Sequence, residues 1–467
     1  MLSTLSSFSP LYTATLLMLI GTGLFNTYMG LRLSQEAVSE LWIGLLMAAY
    51  YFGLVCGARL GHLMIIRVGH IRAFSACAAV ATSMILGQIV IDHMAVWLVL
   101  RIIAGVVMVT ELMVIESWLN EQTENHQRGR VFSVYMAVSG LGTVLGQLAL
   151  TFYTTMDEGP LTLVAMCMVL CLVPIAVSAR SHPPTPLPAP LDLRFYVQRV
   201  PLSLTVLFVA GNLSGAFYGL APVYAVKYGL TTSQVAVFVA AAVTCGLLSQ
   251  WPMGWLSDRI NRAGLIRFNA ALLVLLPVAM WGWITLPYWA LIALSCVFGV
   301  LQFTLYPLGA AFANDHVEPQ RRVSLSAILL MTYGVGACLG PLVAGALMSV
   351  AGPAMYYVFI SACALILVWR VQPARVTGAH QVDEAPVHFV PMPDSLQSSP
   401  AAAALDPRVD PDVDVTMEMA EPQPDVVTPP ASAAEHAAEP LPVPPAEPVA
   451  GAPLEPEGNP EGRRTGT

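Results

Sequence analysis

Ala95–Trp118, AVWLVLRIIAGVVMVTELMVIESW, decides the reading of the whole chain. It is long and apolar enough to cross a bilayer, which takes about 20 residues. Yet Arg101, Glu111 and Glu116 fall inside it. A charge at mid-membrane costs about 2.5–3.5 kcal/mol, and each Leu, Ile or Val returns only about 0.3–0.6 kcal/mol. A dozen such residues yield roughly 5 kcal/mol, so two or three charges nearly cancel them. Such a helix does not face lipid all round. It needs neighbouring helices and a paired or wet interior for its charges.

The rest of the chain supplies those neighbours. Of its 467 residues 56% are hydrophobic and 11% charged, with a mean hydropathy of +0.67, which excludes a soluble protein of this length. Apolar runs recur at Leu11–Met29, Leu41–Gly61, Ala73–Ile91, Ala95–Trp118, Val131–Tyr153 and Leu161–Ala179. A second set follows at Leu202–Val226, Val235–Leu256, Leu265–Leu286, Tyr288–Ala313, Val323–Val350 and Ala354–Val371. The expected architecture is an all-α integral membrane protein of twelve transmembrane helices in two six-helix bundles. Its parts are residues 1–180 and 202–372, joined by a Pro-rich linker at 181–201. The first run has no basic flank and no cleavage site, so it reads as a retained span.

Arginines set the topology. With the N-terminus in the cytoplasm, the inner breaks hold Arg67, Arg72, Arg128, Arg130, Arg180, Arg194, Arg199, Arg259, Arg262, Arg321 and Arg322. The opposite face has little beyond Arg32 and Lys227. This bias predicts both termini in the cytoplasm.

The two sets repeat each other. Asn120-Glu121 matches Asn314-Asp315, Arg128 matches Arg322, and Gly105 matches Gly299. Gly140, Gly142 and Gly146 match Gly334, Gly336 and Gly340 at the same offset. Parallel six-helix repeats of this kind are one known transporter design.

Residues 373–467 are a different material. From Thr377 on, Asp and Glu outnumber Arg by thirteen, so with −8 overall the preceding part carries about +5. This Pro/Ala/acidic tail has too little apolar surface to order itself and is expected to be disordered in the cytoplasm. Its cluster Asp406, Asp410, Asp412, Asp414 lacks the Gly turn and closing Glu of a calcium loop. The eight cysteines lie in apolar runs without metal-ligand spacing and read as small buried filler.

After the eighth span comes Gln250–Arg262, QWPMGWLSDRINR. Gly254, Leu256, Asp258, Arg259 and Arg262 resemble the cytoplasmic loop signature of the major facilitator superfamily, Gly-x-Leu-x-Asp-Arg-x-Gly-Arg, with Asn261 in place of the second Gly. The first-half copy, HLMIIRVGHIR, keeps Arg67 and Gly69 but has Ile66 at the Asp position. The resemblance covers about residues 10–372. Glu116-Ser117, Gly129-Arg130, Gly146-Gln147, Gln250-Trp251-Pro252 and Thr304-Leu305-Tyr306-Pro307 are similar to an uncharacterised bacterial branch.

In that family the loop is a conformational latch. Beside that family reading stands a physical one: Asp258 is placed to meet the positive N-terminal end of a helix near Val131, Arg259 to pair with Asp315, and by the repeat Arg67 to meet Glu121 or Glu116. Such charges also serve simply to mark topology.

On the fourth span, Glu111 lies about 80° to one side of Arg101 and Glu116 about 60° to the other, on one broad face. Arg101 followed by Gly105 resembles the superfamily's fourth-helix Arg-x-x-x-Gly signature, linked to proton coupling. Burial disfavours the charged form of a carboxyl. Glu111, the deepest, is thus the candidate protonation site, with Arg101 modulating it and Glu116 nearer the rim. Snorkelling of Arg101 to headgroups is the plainer alternative.

Cavity candidates are Asn26, Tyr28, Gln147, Asn212, Tyr218, Gln302, Tyr306 and Tyr333, each of which also reads as interhelical glue. No phosphate loop, metalloprotease motif or basic soluble patch is present, which argues against an ATPase, an intramembrane enzyme and a nucleic-acid partner. The expectation is a monomeric secondary transporter of the bacterial inner membrane, alternating its access and driven by the proton gradient without a cofactor or metal. It moves a small organic solute, with efflux preferred over uptake of a polar metabolite. The reading from another class is a ligand sensor of the same fold that signals through its tail.

Overall fold

The structure is a computed structural model that describes residues 8–123, 127–177, 193–318, 321–372, 389–390 and 398–405. Among these it is all-helical. The first six long helices are α1 (Ser9–Gln35), α2 (Glu40–Val68), α3 (His70–Val90), α4 (Met94–Glu121), α5 (Arg128–Phe152) and α6 (Gly159–Val177). The next are α7 (Pro201–Lys227), α8 (Thr232–Ser257), α9 (Arg262–Met280), α10 (Tyr288–Asn314) and α11 (Arg322–Ala351). These eleven are long and apolar enough to cross a membrane; α12 (Met355–Arg370) is apolar but has 16 residues. At 1.5 Å per residue α12 is about 24 Å long, short of the roughly 30 Å hydrocarbon core. The expected ninth span to Leu286 stops early, because Pro277 opens a 3-10 stretch that ends at Met280.

The repeat reappears as paired helix crossings. Helix α1 packs on α5 as α7 does on α11, α2 on α4 as α8 on α10, and α3 on α6 as α9 on α12. Glycines make the closest approaches. A Cβ at Gly105 would strike the backbone of Tyr50 and Leu54 on α2, and one at Gly299 the backbone of Ala242 on α8. Gly146 faces the backbone of Ile20 on α1, and Gly340 that of Asn212 on α7. The correspondence extends between the two sets: Gly140 abuts Leu247 of α8, and Gly334 abuts Val55 of α2. Without a solvent-driven apolar force in lipid, close packing at small residues is what joins such helices.

Outward surfaces are apolar, with Phe152, Leu248, Trp251, Trp289 and Trp369 exposed, while polar groups such as Gln147, Asn269 and Gln302 are buried. That is the pattern expected when the surroundings are lipid.

On the face opposite the arginines the two sets are closed on each other. Gly30 meets Gly219 and Pro222, Gly44 meets Pro341, and Gly345 meets the backbone of Glu40. Lys227 Nζ adds an ion pair to Glu40 at 2.5 Å.

The linker is partly built. Leu193–Arg199 is a helix tied to the second set: Tyr196 Oη donates to the Arg321 carbonyl at 3.0 Å, and Arg199 Nε to that of His316 at 2.9 Å. Most of the tail expected to be disordered lies outside the described residues. The pieces that are described sit against the helices, with a 3-10 turn at Pro400–Leu405 packed on α4, α5 and α11.

Candidate functional site

Arg101 has no exposed surface. It does not snorkel: its guanidinium lies 4.1 Å over the Phe25 ring and 5.8 Å from that of Tyr50. Nη1 donates to Asn26 Oδ1 at 3.4 Å, while Nε and Nη2 have no hydrogen-bond partner among the described residues. A buried guanidinium with spare donors is costly unless a guest or water satisfies them.

Two of these partners, Tyr50 and Asn26, line a cavity together with Leu19, Thr22, Gly23, Tyr51, Thr143 and Tyr218. About 20 Å³ there is open to the centre of a water molecule, room for one or two waters. Of the cavity candidates, Asn26 and Tyr218 line it. Tyr28 instead donates to the Asp157 carbonyl at 2.7 Å and receives a bond from Arg32, which ties the outer end of α1 to the α5–α6 loop. Asn212 donates to its own helix at Phe208, and Gln302 to Ser214 at 3.5 Å. Tyr306 and Tyr333 pack edge to face on each other. Gln147 is fully buried, and its amide has no partner among the described residues. Sequence reasoning missed Tyr50 and Tyr51; two adjacent tyrosines in the middle of a span were the available signal.

Ten residues along α4 place Glu111 about 15 Å from Arg101, beyond direct contact. Glu111 is fully buried, and neither carboxyl oxygen has a hydrogen-bond partner among the described residues. Groups within its electrostatic reach include Tyr50 of α2, Cys77 of α3 and Cys171 of α6. It is not among the residues that line the cavity. A carboxyl buried without a hydrogen-bond partner is costly.

Glu116 is not at an open rim either. It is fully buried and held by Tyr135 Oη at 2.8 Å and by Ser399. The expected partner of Glu116 or Glu121, Arg67, is exposed and forms no ion pair among the described residues. Gly69 caps α2 with φ +82°, a conformation that suits glycine. His70 occupies the place corresponding to Arg262 and stacks on Trp118, so the first-half loop has neither the Asp nor the Arg of its second-half counterpart.

The second-half loop is charged, with a different pairing from the one expected. Arg262 Nη1 lies 2.5 and 2.6 Å from the two oxygens of Asp315, and Nη2 lies 2.7 Å from Asp258 Oδ1. Arg259 does not take Asp315; it stacks 3.7 Å over Trp255. The reason is helical phase. Asn261 caps α9 by accepting from Gly264 N–H, so Arg262 starts the helix and points to the end of α10. Asp258 also accepts from the backbone N–H of Phe389 at 3.0 Å, and the Phe389 ring covers Gly254.

Comparison with known proteins fits this architecture. The chain is 29% identical over 362 residues to an uncharacterised MFS-type transporter, YcaD, of Escherichia coli O139:H28 (strain E24377A / ETEC), covering 76% of this chain and 92% of that one. The YcaD of Shigella flexneri is similar to the same degree. Among solved structures, the nucleoside transporter NupG matches with a TM-score of 0.65 at 11% identity, over 79% of this chain and 99% of that chain. An inward-facing, unoccupied bacterial homologue of the human lysosomal transporter Spinster matches at 0.65 and 15%, over 81% and 98%. These two share the fold. The family model described as Major Facilitator Superfamily matches residues 11–304 and 248–405. With its helix order, paired crossings and charged loop accounted for, the chain belongs to the major facilitator superfamily, a family of membrane carriers and not of enzymes.

Proposed function

We propose that the chain is a proton-coupled secondary transporter of the bacterial inner membrane, both termini cytoplasmic, that moves a small organic solute by alternating access. Glu111 carries the proton. The supporting observation is its carboxyl, buried without a hydrogen-bond partner among the described residues on the helix that also brings Arg101 to Asn26 and Tyr50 of the cavity wall. Arg101, Asn26, Tyr50, Tyr51 and Tyr218 contact the solute. A tyrosine-rich wall suits an amphipathic molecule and hence export, while Arg101 beside it favours a neutral or anionic solute over a cation. The proton gradient supplies the energy, and one chain suffices.

The test is a solute screen in membrane vesicles under an imposed pH gradient, followed by Glu111→Gln. Loss of uphill transport with downhill exchange retained supports the assignment; uphill transport by the variant removes it.

The sensor reading rests on one observation, the contact of the tail with Glu116. Deleting the residues after Gln372 separates the two. A transporter still moves its solute, whereas a sensor loses its output.

A further inference from the structure

Ser399 is 2% exposed although it belongs to a tail with no spanning run. Its backbone N–H donates to both oxygens of Glu116 at 3.1 Å, and its hydroxyl donates to Glu116 Oε2. The same hydroxyl oxygen accepts from Ala401 N–H at 3.2 Å, and the Ser399 carbonyl accepts from Ala402 N–H at 3.1 Å. Ser399 therefore caps the turn that follows. Pro400, whose missing N–H costs nothing at a helix start, opens it. Small residues then fit the turn between α4, α5 and α11, with Ala402 buried. With Tyr135 added, hydroxyl and amide donors converge on one carboxyl, which accepts at both oxygens.

A second contact lies on the other set of helices. Phe389 donates its N–H to Asp258 and lays its ring on Gly254, the residues of the charged loop. Ten residues separate this point from Ser399 in sequence.

We propose that the cytoplasmic mouth bounded by α4, α5 and α11 is a binding site for the chain's own segment Ser398–Leu405, anchored on Glu116, with Phe389 on the Asp258 loop as a second docking point of the same tail. The site takes a short peptide that offers an amide and a hydroxyl to one carboxyl and then turns on small residues. While Ser398–Leu405 is seated it fills the inner mouth between α4 and α5 of one set and α11 of the other, so its release precedes inward opening. The proposal stands on these contacts; the identity of the solute and the proton role of Glu111 do not enter it.

The experiment uses the full-length chain in lipid nanodiscs and reads hydrogen exchange by mass spectrometry. Peptides covering 398–405 are expected to exchange at least tenfold more slowly than the same free peptide. Ser399→Asp, which sets a second carboxylate against Glu116, should bring them to the free rate, and Ser399→Ala should fall between. Both changes lie in the tail, so folding of the helices is not at issue. In a second arm, Thr143→Cys at the cavity is labelled with an impermeant maleimide from the cytoplasmic side of inside-out vesicles, the adduct being located by peptide mass. Labelling is expected to be at least fivefold faster when Ser399→Asp is added. Exchange of 398–405 at the free rate in the wild type, or a Thr143→Cys labelling rate that Ser399→Asp leaves unchanged, overturns the proposal.

Discussion

Arg262 at the start of α9 and Asp315 at the end of α10 form a nearly buried ion pair, at 2.5 Å, across the arginine-rich face. Arg259, three residues earlier, lies over Trp255 and leaves the pair to its neighbour.

Arg262→Ala removes the guanidinium that joins Asp315 to Asp258, and losing one partner of a buried pair costs up to about 3–5 kcal/mol. A lower melting temperature in detergent and weaker transport are expected. Arg259→Ala removes only a cation–π contact, worth about 0.5–1 kcal/mol at an exposed site. Thermal unfolding of the two variants side by side checks the ranking.

Glu111→Leu replaces an unpartnered buried carboxyl with an apolar group. Relief of an unsatisfied polar group is worth about 1–3 kcal/mol. The variant should melt higher than the wild type while losing proton-driven accumulation. A lower melting temperature would mean that Glu111 has a structural partner.

Gly105→Ala and Gly299→Ala both drive a Cβ into facing backbone, which cannot rotate away. Each should lose about 1–3 kcal/mol, the usual cost of overpacking. Gly87→Ala is the control, since its Cβ would meet only the end of the Leu100 side chain, at 3.3 Å. Expression yield and melting temperature measure all three.

Glu40→Gln breaks the Lys227 ion pair on the face opposite the arginines. Lys227 is 39% exposed in that pair, so stability should change by less than about 1 kcal/mol. The balance between states should respond more visibly. A Thr22→Cys reporter in the cavity should react faster with maleimide added from that face.

The sequence made the architecture legible because spans in lipid declare themselves by length and apolarity. The offset between Gly105 and Gly299 was readable for the same reason that it persists in space: each glycine sits where two backbones touch. Pairings at the rim were less legible. Arg259 and Arg262 are both plausible partners for Asp315 in one dimension, and the Asn261 cap, which sets the start of α9, decides between them. Tyr50 and Tyr51 escape notice because the surrounding LWIGLLMAAYYFG reads as uniformly apolar. Ser399-Pro400 followed by four alanines is a turn-start pattern, but it sits in a segment whose composition argues against order. Its partner, Glu116, lies 283 residues away. No local pattern reveals such a pairing.

The short helix Leu193–Arg199 is riveted to the loop before α11 through Tyr196 and Arg199. Whatever swivel the first six helices make against the last six, these seven residues travel with the latter as ballast. Tyr196→Phe combined with Arg199→Ala should therefore loosen this helix from the last six and leave the first six undisturbed.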